Sequence, residues 1–193
     1  MIEKTNNRFG IKALMTLYKP KCKDILIALT FSIFTIIPIC MLSITPSIEL
    51  LDTVVSLILN IIPAILGFVL SGYALLIGFG NFNFIAKQKK AGQITLYQKI
   101  SSVFTVSLLF QMILLILGII FRFAMDASLS IDNLKLVSVI NYSSIFFLLS
   151  FLFYVILLVK DLVIVIFNYS QLQHFKINSN QEKNKEEEQK FNL

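Results

Sequence analysis

The sequence predicts an all-α fold, an integral membrane four-helix bundle with both termini cytoplasmic. Of its 193 residues, 56% are hydrophobic and 15% are charged. A soluble domain carries about 25% charged residues, so this chain has too little polar surface for water. Four windows contain no Asp, Glu, Lys or Arg, and each is longer than the roughly 20 residues that span a bilayer. These windows are residues 25–48, 53–86, 100–121 and 136–159.

The positions of the basic residues predict the topology. Of the 17 Lys and Arg residues, six precede the first window, none lies in the first loop and four lie in the second loop. Two more lie in the third loop, and five follow residue 159. Basic residues concentrate on the cytoplasmic side of membrane proteins. We therefore expect a multi-pass protein of the inner (plasma) membrane. The net charge of +6 then reflects topology, and we expect no direct nucleic-acid binding.

The elements follow in chain order. A basic segment, residues 1–23, is predicted to hold an interfacial helix on the lipid surface, since its apolar residues recur at helical spacing. Thr45 before Pro46 has the pattern of an N-cap, so the second helix can begin at Pro46. The charged tail, residues 171–193, has no apolar periodicity and is expected to be disordered. The membrane domain, residues 24–170, is predicted to contain helices at about 24–43, 54–80, 100–123 and 138–160, the last extending to 169.

The second predicted helix carries a face of small residues. Spacings of three and four place these residues on one side of a helix. Glycine is a poor helix former in water, whereas small residues let membrane helices approach closely. The face can pack inside one chain or against another copy, and we expect the latter, a homo-oligomer. We name it the small-residue face; it comprises Asn60, Ala64, Gly67, Ser71, Ala74 and Gly78.

Other polar residues lie within the predicted spans. Intramembrane polar side chains mostly form hydrogen bonds between helices, but in an oligomer they can also line a pore. Charged residues near the membrane boundary are functional candidates, although lysine can also extend to the headgroups. The candidates for a pore or polar intramembrane role are Asn60, Gln111, Ser150, Lys160 and Asp161.

The sequence shows no pattern of residues that is typical of a catalytic or metal-binding site. The chain has one histidine, His174, beyond the last predicted span. No cluster of His, Cys, Asp and Glu has the spacing of metal ligands. Cys22 and Cys40 are predicted at opposite membrane surfaces, too far apart for a disulfide. We therefore expect neither enzymatic activity nor a cofactor or metal.

Two segments and the basic inner loop resemble small four-span prokaryotic membrane proteins of anti-phage loci. The segments are Leu70–Asn81 (LSGYALLIGFGN) and Ser101–Gln111 (SSVFTVSLLFQ). The family includes the membrane subunit of the Kiwa system and the four-span accessory protein of type VI-B CRISPR loci. The resemblance implies an oligomeric component that senses phage at the membrane or permeabilises it together with a cytoplasmic protein.

The basic residues are the predicted contacts for lipid or for that cytoplasmic partner. They are Arg8, Lys12, Lys19, Lys87, Lys89 and Lys90. One alternative function is a stand-alone homo-oligomeric pore for ions or small solutes. Another is a small transporter, in which Pro63 and the nearby glycines would break a helix.

Overall fold

The structure is a computed structural model that describes Leu14 and residues 17–42, 46–79, 95–127 and 134–191. Within these residues the chain forms four long helices, confirming the predicted all-α bundle. The helices are α1 (Cys22–Leu42), α2 (Ser47–Phe79), α3 (Leu96–Asp126) and α4 (Leu134–Phe191).

Each helix contains a stretch that is long and apolar enough to cross a membrane, which makes the chain a multi-pass membrane protein. About 20 residues at 1.5 Å rise match a hydrocarbon core of about 30 Å. The stretch in α1 has 20 residues, while those in α2, α3 and α4 have 32, 30 and 41. These stretches are Cys22–Met41, Ser47–Gly78, Tyr97–Asp126 and Lys135–Phe175.

Local sequence explains where α2 and α3 begin. The carbonyl of Pro46 accepts bonds from the amides of Glu49 and Leu50, so α2 starts beside the predicted proline. Thr45, the predicted cap, lies outside the described residues. At α3, the Thr95 hydroxyl accepts from the amide of Gln98, and the Gln98 side chain accepts from the amide of Thr95. This capping box satisfies two amide groups that the first turn leaves free.

The main apolar core joins α2, α3 and α4. Val55, Ile58 and Ile62 of α2 are fully buried, as are Leu114 of α3 and Leu148 of α4. Aromatic contacts extend this packing. The ring of Phe110 lies edge-on to the rings of Phe151 and Tyr154. The ring centroids of Phe31 in α1 and Phe153 in α4 are 5.7 Å apart. The bundle therefore buries bulky side chains between helices in the ordinary way.

The end of the chain corrects one prediction. Residues 171–193 were expected to be disordered, but α4 continues as a helix to Phe191. Gln, Glu and Lys dominate the segment and are strong helix formers, and it contains no Gly or Pro. Adding residues to an existing helix also avoids the cost of nucleation. The chain divides into two compact units, Met1–Val159 and Lys160–Leu193, and the second holds this distal part of α4.

Candidate functional site

Polar contacts mark two levels of the bundle. At one end, Arg122 of α3 pairs with Asp52 of α2 at 2.5 Å, and Asn141 of α4 donates to the Ser47 hydroxyl. At the other end, the hydroxyls of Tyr73 and Ser101 lie 2.9 Å apart. We call these levels the Arg122 end and the Tyr73 end.

About 20 residues separate the two levels along both α2 and α3, which corresponds to roughly 30 Å of helix. That length matches the hydrocarbon core of a bilayer. The two contacts therefore give a depth scale for every other residue of α2 and α3, and the sequence predicts that the Tyr73 end faces the cytoplasm.

The small-residue face of α2 points away from the rest of the described chain. All six members are exposed, whereas the bulky residues Val55, Ile58, Ile62 and Val69 of the same helix are buried. A Cβ atom built on Gly67 or on Gly78 would meet nothing within 4 Å in the described part of the chain. Within the described residues the face is therefore not used for packing, and it lies on the outside of α2 beside exposed bulky residues such as Phe68 and Leu75.

Polar groups on this face differ in how they are satisfied. The Ser71 hydroxyl donates to the Gly67 carbonyl of its own helix at 2.8 Å. Asn60 is exposed, and its side chain has no hydrogen bond to any described residue. Asn60 lies about eight residues from Asp52, or roughly 12 Å inside the Arg122 end. Its amide therefore faces the lipid region.

The close approach of α2 and α3 depends on a different glycine, Gly118, which the sequence did not single out. A Cβ atom at this position would lie 3.1 Å from the Leu59 Cδ2 atom and 3.2 Å from the Ile58 Cγ2 atom. Ordinary carbon contacts are about 3.5–4.0 Å. An isolated glycine in an apolar helix is the sequence signal that could have identified it.

Gln111 lies inside the bundle, about midway between the two ends. Its side chain is fully buried, and its Nε2 atom donates to the Ser107 hydroxyl at 3.0 Å. Its Oε1 atom has no hydrogen-bond partner within the described ranges. The predicted pore residues Asn60 and Gln111 therefore do not share a surface, since one is exposed and the other is enclosed.

The remaining candidates are satisfied locally. The half-buried Ser150 donates from its hydroxyl to the carbonyl of Phe146 at 2.8 Å. Lys160 and Asp161, neighbours in the second unit, form an ion pair at 3.7 Å in which the lysine is exposed and the aspartate is buried. The ion pair therefore supplies a counter-charge for a buried carboxylate.

The predicted basic contacts are mostly beyond what the structure describes. Lys19 is exposed. The others lie outside the described residues: Arg8, Lys12, Lys87, Lys89 and Lys90. The prediction of lipid or partner binding at these positions stays a prediction.

Cysteine and metal-ligand side chains show no assembled centre in the part of the chain that the structure describes. Cys22 and Cys40 are free thiols. Over the same residues, no three His, Cys, Asp or Glu side chains come together in a group that could hold a metal ion.

No protein family, curated protein or solved structure matches this chain.

Proposed function

We propose that this chain is a non-enzymatic component of a bacterial inner membrane that assembles into a homo-oligomer through the small-residue face of α2. The observation that carries the proposal is that all six members of the small-residue face are exposed on the outside of α2. The small residues lie together on the outside, flanked by exposed bulky residues such as Leu57, Phe68 and Leu75, while Val55, Ile58 and Ile62 pack inside the chain. A membrane helix gains contact energy when small residues let another helix approach closely.

Asn60 adds a polar reason for assembly. An amide facing hydrocarbon without a partner is unfavourable by several kcal/mol relative to water. Two or more copies around a symmetry axis would place identical Asn60 side chains next to one another, and each amide can both donate and accept. Asn60 would then fix the register of the α2 helices in the oligomer.

The cellular role rests on the sequence resemblance. We propose that the oligomer serves an anti-phage defence module, in which it senses or permeabilises the membrane together with a cytoplasmic protein. The basic residues of the N-terminal segment and of the loop between α2 and α3 supply the surface for that partner or for anionic lipid. The experiment on assembly and the experiment on defence are independent of each other.

Assembly is tested with a matched pair of serine variants. Ser71 belongs to the small-residue face, while Ser143 is an exposed serine on α4. We expect Ser71→Leu to reduce the copy number per nanodisc, measured by native mass spectrometry, because the leucine blocks close approach. Ser143→Leu should leave the copy number at the wild-type value. A wild-type protein that is monomeric at every lipid-to-protein ratio would contradict the proposal, as would equal copy numbers for the two variants.

Defence is tested in cells that carry the gene with its chromosomal neighbours. The proposal expects a reduced plating efficiency of phage with the wild-type gene. That protection should be lost with Ser71→Leu and kept with Ser143→Leu. If the wild-type locus gives no protection against a broad phage panel, the defence role is refuted, even if the oligomer is present.

A further inference from the structure

The polar side chains of α3 are confined to one half of the membrane. Hydroxyl and amide groups recur from the Tyr73 end to the membrane centre, whereas residues 112–121 contain none apart from the backbone. The polar residues are Ser101, Ser102, Thr105, Ser107 and Gln111.

These side chains turn toward protein rather than toward lipid. Ser102, Ser107 and Gln111 are buried, and Ser101 and Thr105 are half-buried. The Ser102 hydroxyl donates to the Lys99 carbonyl, and the Thr105 hydroxyl donates to the Ser101 carbonyl. A hydroxyl that donates to its own helix keeps lone pairs that can accept from another molecule. The half of the bundle toward the Tyr73 end therefore contains several buried or half-buried acceptors, of which Ser107 and Gln111, four residues apart, share one face of α3.

Gln111 is the last of these polar residues along α3. Its Oε1 atom is buried without a partner in the described chain, although its Nε2 atom is bonded to Ser107. A buried acceptor that has lost its water costs about 1–3 kcal/mol, and an apolar residue of similar size would avoid that cost. The neighbouring residues on this helix beyond Gln111 are apolar, and Leu114 is fully buried. A water molecule that reaches Gln111 from the Tyr73 side would supply the missing donor.

We propose that Gln111 and Ser107 form a water-binding site at the membrane centre, which water enters from the Tyr73 end, the end to which the polar side chains of α3 are confined. Water is small enough for an interior site, and buried waters typically make two to four hydrogen bonds to polar groups that are otherwise unsatisfied. Oε1 of Gln111 accepts one bond from this water, and the Ser107 hydroxyl oxygen is the second group within its reach. The apolar residues 112–121 close the path toward the Arg122 end.

Cysteine reactivity tests the path. In a Cys22→Ser, Cys40→Ser background, Ser107→Cys is compared with Leu114→Cys. Both positions are fully buried in α3. Ser107 lies six residues from Ser101 at the Tyr73 end, and Leu114 lies eight residues from Arg122 at the other end. A thiol reacts with a methanethiosulfonate reagent as the thiolate, which needs water to form. We expect 2-aminoethyl methanethiosulfonate to modify Ser107→Cys at least tenfold faster than Leu114→Cys in nanodiscs. Equal rates would overturn the proposal.

Solid-state NMR tests the site without a new cysteine. In wild-type protein with ¹⁵N-labelled glutamine, the Gln111 side-chain signal is identified by its loss in Gln111→Leu. We expect magnetisation from water to reach the Gln111 side-chain amide, and Ser107→Ala to change the rate of that transfer at least twofold. An absence of transfer to Gln111 would overturn the proposal, even if the cysteine variants misfold.

Discussion

Replacement of Gly118 by alanine should destabilise the bundle, although alanine is the better helix former. The added methyl group would lie 3.1 Å from Leu59 and 3.2 Å from Ile58. The Leu59 contact is with the end of a flexible side chain, but Ile58 is fully buried and β-branched, so it has little room to move. Overpacking of this kind costs about 1–3 kcal/mol. The higher helix propensity of alanine offsets about 1 kcal/mol of this cost, so the free energy of unfolding should fall by about 1 kcal/mol in total.

Gly67→Ala is the matched control, because a Cβ atom there meets nothing within 4 Å in the described chain. This variant should gain about 0.5–1 kcal/mol from helix propensity alone. The two alanine variants should therefore differ by about 2 kcal/mol. The measurement is reversible unfolding in mixed detergent micelles, at a concentration at which the wild type is monomeric. If Gly118→Ala is as stable as Gly67→Ala, the close packing of α2 and α3 at Gly118 is refuted.

Three further predictions concern polar contacts, each measured by the same unfolding assay. Asp52→Asn should cost at most about 1 kcal/mol and less in high salt, because Arg122 and Asp52 are about half exposed; a larger, salt-independent loss would contradict this. Ser107→Ala should cost about 1–3 kcal/mol by leaving the Gln111 amide unpaired, and adding Gln111→Leu should restore most of it; equal effects with and without Gln111→Leu would refute the coupling. Thr95→Ala should cost about 1 kcal/mol, since it removes the capping box of α3, and a neutral result would argue against that cap.

The sequence predicts the number of helices and most of their bounds, because a charge-free window of bilayer length has few alternatives to a spanning helix. The sequence is a poorer guide to the residues at which the helices begin and end. The first turn of α3 contains Lys99, so the helix begins before the charge-free window, at the Thr95 capping box. The distal part of α4 was misjudged because polar composition reports solvation, while helix formation there depends on propensity and on an existing helix.

The faces of the helices are harder to predict than the helices themselves. The three-and-four spacing on α2 shows that the small residues share a side, but not whether that side faces the core. Which face of α2 lies in the core depends on the side chains that the neighbouring helices contact. Here α3 and α4 pack on Ile58 and Ile62 rather than on the small residues. The ion pair of Asp52 with Arg122 joins residues 70 positions apart, so no local pattern could reveal it.

Asn60 and Gln111 show how one sequence signal can have two physical meanings. Each is an amide in an apolar helix, and both were candidates for the same pore. Gln111 is enclosed by its own chain, whereas Asn60 faces outward, so they meet different partners. Since the two side chains share no surface, a substitution at one position should not alter the contacts of the other. Asn60→Leu should therefore weaken the oligomer without slowing modification of Ser107→Cys, and Gln111→Leu should leave the copy number unchanged. If Asn60→Leu instead abolishes modification at Ser107→Cys, water reaches the site only through the assembled oligomer, and the path within a single chain is refuted.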